Sequence, residues 1–387
     1  MMQWREQWLT PCMHGARKKH EIYDVSWSLG LHIEHETLCE RFLSGVSMDR
    51  NKFFDLLQYE VGYFILGALG APSGVLVAAQ NFYQNLQCMK ATTDYFFTKK
   101  HGFAQVNSFS LQVALAYIMS WTKYMKCDPC LDHVITTGSF MDDSHFFCSC
   151  DLPVEAARAI AQSWRRSLEF DSITGLVTNV NKSFFFVNHE SMIGPIQACM
   201  IEFSAENRLK CKKSFVLVGS VVTSMGGADL SQRNQRVAAA IEKPHKIRFA
   251  PLRFAHRVKM AAAIFPAAIF GCEQVLLTKG LYETLRGAVV YLLWKGKTWL
   301  RCWATTATHI LPVHQLHPVA AVMYNVLTLL SRLLQRREDL RLLVRFDMFG
   351  NQITLGPLAV VQSIIDQLNV TRVSAFVFQS QEVISFI

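Results

Sequence analysis

Residues 133–147 read HVITTGSFMDDSHFF. His133 to Phe140 is β-prone, Met141-Asp142-Asp143 is an acidic break, and His145-Phe146-Phe147 is β-prone again. Strand, acidic turn, strand predicts a hairpin with carboxylates at its tip. Neighbouring carboxylates repel one another unless a cation or a proton intervenes. Such a pair either sits in a solvated turn or holds a metal. A third carboxylate, Asp49, follows a second short apolar approach, Phe42-Leu43-Ser44-Gly45-Val46-Ser47-Met48. Three carboxylates on adjacent strand ends can hold two Mg²⁺ ions about 3.5–4 Å apart. Magnesium favours few carboxylates together with substrate phosphates. The reading therefore requires the strands ending in Asp49 and Asp142–Asp143 to lie side by side.

Around these stretches the chain alternates helical and β-prone patterns, which predicts an α+β fold. Apolar spacing predicts helices over 20–43, 108–125 and 153–170, and strands over 182–188 and 214–223. Val61 to Ala79 carries no charge, but Gly62, Gly67, Gly70, Pro72 and Gly74 break it into two helices around a turn rather than one membrane span. The last segment reads strand, helix, strand over 344–349, 358–368 and 373–378.

The chain has 387 residues, half of them hydrophobic, which excludes a disordered or collagen-like chain. Eleven irregularly spaced cysteines point to reduced thiols in the nucleus or cytoplasm, and no apolar leader opens the chain. The net charge is +9, and it is unevenly spread. Between Leu230 and Met260 stand Arg233, Arg236, Lys243, Lys246, Arg248, Arg253, Arg257 and Lys259 against Glu242 alone. Such a run is either a solvated helical face or a track for a phosphate backbone.

Together these residues resemble the reverse transcriptase palm of non-LTR (LINE-type) retrotransposons. Asp49-x-x-Lys52-x-Phe54-Asp55 is similar to the first palm motif of that family, and Gly102-Phe103-Ala104-Gln105 followed by Ser108-Phe109-Ser110 to the second. Phe140-Met141-Asp142-Asp143 resembles the metal-binding motif. Gly175-Leu176-x-x-Asn179-x-x-Lys182-Ser183 resembles the fourth motif, and Val218-Gly219-Ser220 the turn of the primer grip. The five stand in the family's order. Two departures are the short stretch ahead of Asp49, where the family has fingers strands, and Val106, where it usually has glycine.

The resemblance implies a right-hand polymerase palm, an antiparallel sheet with packed helices, followed by a helical thumb, with the fingers largely missing. Its expected division is residual fingers and entry helix over 1–43, palm over 44–228, thumb and helical extension over 229–345, and a C-terminal α/β segment over 346–387. It implies RNA-directed DNA polymerisation from an RNA template, a DNA primer and dNTPs, with two Mg²⁺ ions or Mn²⁺ in their place, and no membrane. Asp49, Asp142 and Asp143 would be the metal ligands, and Lys182 would protonate the leaving pyrophosphate. Phe54 would exclude the ribose 2′-hydroxyl, Gln105 would lie against the template or the incoming base pair, and Gly219 would belong to the primer grip. Arg233, Arg236, Lys246, Arg248, Arg253, Arg257 and Lys259 would grip an RNA–DNA hybrid. Two alternatives stay open: an inactive retroelement relic that binds nucleic acid, and an RNA-dependent RNA polymerase on the same palm.

Other clusters weigh less. Cys127-x-x-Cys130 and Cys148-x-Cys150 flank the acidic hairpin and read as thiols rather than a zinc site. His309, His314 and His317 read as a loop, and His32 and His35 as ordinary surface or interface residues of a helix.

Overall fold

The computed structural model of the chain describes residues 2–18, 20–85, 87–89, 96–98, 101–104, 107–127, 135–203, 209–226, 230–247, 250–294, 318–347, 356–367, 370–374 and 377–380. Cys130, the histidines at 309, 314 and 317, Gln105, Val106 and Arg248 lie outside these residues. The chain divides into two compact units, one of residues 1–25 and 39–213 and one of 26–38 and 214–387. The break near 213 falls earlier than the expected palm–thumb boundary at 228.

The first unit opens with α1 (Met2–Glu6) and the first turn of α2 (Ile22–Leu38). Then come β1 (Phe42–Met48), α3 (Phe53–Leu56), α4 (Tyr59–Ala68), α5 (Ser73–Gln84) and the small hairpin β2 (Gln87–Met89) and β3 (Phe96–Thr98). They are followed by α6 (Ser108–Lys126), β4 (Ile135–Phe140), β5 (Asp143–Cys150), α7 (Pro153–Thr174), β6 (Phe184–Val187), α8 (Ile193–Phe203) and β7 (Lys210–Cys211). The main sheet runs β4-β5-β1-β6-β7, antiparallel except for β6 with β7.

The sheet owes its tightness to small residues on β1. A side chain at Gly45 would meet the Phe146 carbonyl at 2.8 Å, so glycine lets neighbouring strands and the Phe186 ring close over it. Leu43, Val46, Phe146, Phe185 and Phe186 are buried, and α6 and α7 cover the sheet with Trp121, Ile160 and Trp164, each at most 1% exposed. Trp121 donates its indole N–H to Ser167 across those two helices at 2.7 Å. Val61 to Ala79 is split as expected: α4 ends at Ala68, Gly70 takes φ 78°, and α5 begins at Ser73. No helix among the described residues is long and apolar enough to cross a membrane.

The second unit holds the rest of α2 and the hairpin β8 (Ser214–Leu217) and β9 (Ser220–Thr223). Its helices are α9 (Ser231–Ile247), α10 (Phe254–Ile269), α11 (Lys279–Trp294), α12 (Pro318–Arg336), α13 (Glu338–Asp347) and α14 (Pro357–Gln367), before the hairpin β10 (Val370–Ser374) and β11 (Val377–Ser380). Residues 344–347, expected in a strand, are the last turn of α13. Glu338 and Asp339 favour its positive N-terminal end, and Leu340 and Val344, four apart, are both buried. His32, expected at the surface or an interface, is partly buried. Burial, with the nearby Arg337 charge, holds its pKa down at about 4.

Candidate active site

Met48, the last residue of β1, pairs with Ser144, so Asp49 stands just beyond the strand, beside the β4–β5 turn. Phe140 pairs with Asp143, leaving Met141 and Asp142 as a two-residue hairpin turn. Met141 adopts φ 57°, the positive region that tight hairpin turns use. Asp49, Asp142 and Asp143 therefore gather at one end of the sheet. Their proximity shows in the electrostatics. Burial and the charges of Asp142 and Asp49 push the Asp143 carboxyl up to about 6, against a smaller opposing pull from Lys182. Lys182 Nζ lies 3.8 Å from Asp49 Oδ2.

The segment carrying Lys182 is laced to the one carrying Asp49 by backbone bonds. Asn179 N–H donates to the Asp49 carbonyl at 2.7 Å, Asp49 N–H to Ser183 Oγ at 3.1 Å, and Asn51 N–H to the Val177 carbonyl at 2.8 Å. Gly175, at φ 75°, stops α7 and lets the chain turn into that loop. Residues 49–51 and 177–183 thus form one unit around Asp49 without regular strand pairing.

Arg50 is the functional neighbour that the sequence reading missed. It is 4% exposed. Its Nε donates to Asp171 Oδ1 at 2.9 Å and its Nη1 to Ser144 Oγ at 3.1 Å, and its guanidinium lies 5.3 Å from the Trp121 ring centre. One cation thereby ties α7, α6 and the start of β5 to the residue next to Asp49. Spacing could not reveal this, because Asp171 is 121 positions away. The only sequence signal is a lone arginine directly after an apolar strand.

The tail of the first motif meets the second. Phe103 N–H donates to the Phe54 carbonyl at 2.8 Å and Gly102 N–H to the Leu57 carbonyl at 2.9 Å. Gly102 has φ 91°, and a side chain there would strike the Asp55 carbonyl at 2.6 Å. Phe54 is 8% exposed and packs edge-on against Phe53. An open cleft of about 990 Å³ adjoins this region, lined by Gln58, Tyr59, Tyr63, Gln84, His101 and Gly175. Cys148 and Cys150, two apart on β5, share a face, and Cys148 Sγ lies 3.5 Å from Ser44 Oγ and 3.4 Å from the Ala156 carbonyl. No disulfide joins the described cysteines.

In the second unit Gly219 closes the β8–β9 turn at φ 85°, after Val218 at φ 48°. A side chain at Gly219 would come within 2.7 Å of the Phe270 ring. The basic run is narrower than its charge count. Arg233 is 2% exposed and donates to the Val275 and Leu276 carbonyls at 3.1 and 2.8 Å. Arg257 is 3% exposed and donates to the Leu252 and Leu292 carbonyls at 3.2 and 3.4 Å. Their guanidiniums are spent on internal carbonyls, so neither belongs to an exposed phosphate track. Arg236 is half-buried and holds the Gly219 and Phe270 carbonyls at 2.6 and 3.1 Å. Lys246, Arg253 and Lys259 are exposed, Lys246 in an ion pair with Glu242 at 2.9 Å.

The aspartate trio was tested as a magnesium site on its own geometry. Among the described residues, the group of three whose ligand atoms all lie within 4.8 Å of one another is His14, His20 and Asp24, not the aspartates. The aspartates are more open, yet crowded enough to raise Asp143. An oxygen-only donor set whose like-charge repulsion Lys182 only partly offsets fits hard divalent ions that take further oxygens from a substrate.

No protein-family model matches the chain, and no curated protein matches it. Among solved structures, it overlaps an apo telomerase from Candida tropicalis at TM-score 0.40 and 11% identity, covering 82% of this chain and 56% of that one. It overlaps a Candida tropicalis telomerase in complex with a TWJ fragment of telomeric RNA at TM-score 0.38 and 11% identity, covering 87% of this chain and 51% of that one. A Candida albicans telomerase in complex with a TWJ fragment of telomeric RNA overlaps at TM-score 0.35 and 9% identity, covering 91% of this chain and 56% of that one. The chain thus spans about half the length of these structures.

Proposed function

We propose that the chain carries the palm of an RNA-directed DNA polymerase of a LINE-type retroelement, which joins a deoxynucleotide to a primer 3′-hydroxyl. The observation that carries this reading is the meeting of Asp49 with the Asp142–Asp143 turn at the ends of paired strands, with Lys182 3.8 Å from Asp49.

Asp49, Asp142 and Asp143 would hold two Mg²⁺ ions, which when bound supply an activated 3′-hydroxyl and neutralise the triphosphate. The remaining work falls to the chain. Arg50 and the 177–183 loop fix the Asp49 backbone, so its side chain would start from a set position before substrate arrives. Lys182, exposed and 3.8 Å from Asp49, would turn toward a triphosphate and give a proton to the departing pyrophosphate. Phe54, fixed by the Phe103 backbone bond, offers a rigid ring edge against a 2′-hydroxyl. The exposed Lys246, Arg253 and Lys259 supply sequence-independent attraction for a hybrid backbone.

The test is primer extension on an RNA template with Mg²⁺, dNTPs and competing rNTPs, beside an Asp142→Ala/Asp143→Ala control. Extension with dNTPs, lost in the control, supports the reading. Preference for rNTPs would move the chain to the RNA polymerases. Hybrid binding without any extension would make it a relic.

A further inference from the structure

At the start of α2 and just ahead of it, three side chains that the polymerase reading does not use converge in the first unit. His14 Nδ1 lies 3.0 Å from His20 Nδ1, and Asp24 Oδ2 lies 3.8 Å from the first and 3.9 Å from the second. His14 and Asp24 are 3% and 1% exposed, while His20 is partly open to solvent. The two carboxylate–imidazole distances are too long for hydrogen bonds. They suit two ligands of one ion. Tetrahedral zinc with bonds of about 2.0–2.1 Å sets its ligand atoms about 3.4 Å apart. The edges seen here, 3.0, 3.8 and 3.9 Å, straddle that value.

We propose that His14, His20 and Asp24 form a structural site for one zinc-class divalent ion, with the fourth position left to water on the His20 side. The backbone around the site is pinned: the His14 backbone N–H donates to the Ser139 carbonyl at 3.0 Å, and the Glu21 backbone N–H to Asp24 Oδ2 at 3.0 Å. Both ring nitrogens facing the centre are Nδ1, and a bound ion would accept a lone pair from each in place of their mutual hydrogen bond. Two imidazoles and one carboxylate, with no sulfur, are a borderline donor set that zinc accepts and magnesium does not favour.

The position gives the site a task. Its first ligand sits on the segment that pairs with β4, since Ser139 N–H donates to the Cys12 carbonyl at 3.1 Å. Gly15, next to His14, is pressed so closely on the acidic turn that a side chain there would meet Met141 N at 2.7 Å. The other two ligands belong to the approach and first turn of α2. One ion would clamp that helix start to the segment bracing the Asp142–Asp143 hairpin. Metal here stiffens the candidate active site without entering it.

The experiment uses the full chain, stripped with chelator and titrated with Co²⁺ as a spectroscopic probe, then with Zn²⁺ as competitor. The expected result is one tetrahedral Co²⁺ per chain, marked by intense visible d–d absorption with no thiolate charge-transfer band, and displaced by Zn²⁺. It is retained in Asp142→Asn/Asp143→Asn and lost in His20→Gln. Zn²⁺ should raise the wild-type Tm by several degrees and leave the Tm of His20→Gln unmoved. His20 is the least buried of the three ligands, so this variant is expected to fold, and Asp24→Asn serves as a second one. Failure of the folded wild type to bind, a thiolate band, or binding unchanged in both variants would overturn the proposal.

Discussion

Asp143→Asn should stabilise the metal-free protein, and by an amount that depends on pH. The wild-type carboxyl is raised from 3.8 to about 6 by burial and by the charges of Asp142 and Asp49. The folded state therefore binds a proton more tightly than the unfolded state. Stability from this group is full below about pH 4 and falls as pH rises toward 6. A shift of about two units corresponds to about 3 kcal/mol at pH 7.5 as an upper bound. Partial exposure of the site reduces this to about 1–3 kcal/mol, and at pH 4 the same linkage leaves only about 0.5 kcal/mol. The assay is urea unfolding of wild type and Asp143→Asn in EDTA at pH 4, 5.5 and 7.5. His32, held at about 4, works in the opposite direction, losing stability as pH falls from 6.5. It is common to both proteins and cancels in the difference. The expected ΔΔG favours the variant and grows with pH. A variant less stable than wild type at pH 7.5, or a difference that does not change with pH, would refute the crowding of the three carboxylates.

Arg50→Met should lose about 3–5 kcal/mol, because Asp171 is left charged and buried. Arg50→Met/Asp171→Leu should regain most of that loss, and thermal unfolding of the three proteins checks it. Gly219→Ala should cost about 1–3 kcal/mol, since φ 85° strains any other residue and Phe270 stands 2.7 Å from its new carbon. Its effect should appear in unfolding midpoints. Replacing the exposed Lys246, Arg253 and Lys259 by Gln should flatten the salt dependence of hybrid binding by up to about 0.9 per lost phosphate contact. Arg233→Gln should instead lower Tm, because its cation holds two internal carbonyls. Fluorescence anisotropy at several salt concentrations separates the two effects.

The acidic hairpin was legible because both its signals are local: β-prone strands, and the short acidic break Met141 to Asp143 between them, of which only Met141 and Asp142 form the turn. The helix–turn–helix at 59–84 was legible for the same reason, since Gly70 and Pro72 act on their own backbone. What stayed hidden depends on partners far along the chain. Arg50 needs Asp171, and nothing in the spacing of either announces the other. The basic run misled for a related reason. Charge counts treat every cation as solvated, whereas Arg233 and Arg257 turn inward to cap carbonyls that the helices and loops leave open. The end of α13 shows a third limit. Val344 to Phe349 reads as a strand by composition, yet Val344 to Asp347 continue the helix, with Leu340 and Val344 packing four apart. His14, His20 and Asp24 were passed over because ligands drawn from a loop and a helix start form no motif until the fold closes.

The central claim is that Asp49, Asp142 and Asp143 act as one divalent-ion site. The most direct measurement is Mn²⁺ titration of the full chain followed by electron paramagnetic resonance, comparing wild type with Asp49→Asn, Asp142→Asn and His20→Gln. The account predicts bound Mn²⁺ in wild type and in His20→Gln, with occupancy falling sharply in each aspartate variant. Binding that survives both aspartate substitutions, or a folded wild type that leaves all the manganese free, would contradict it.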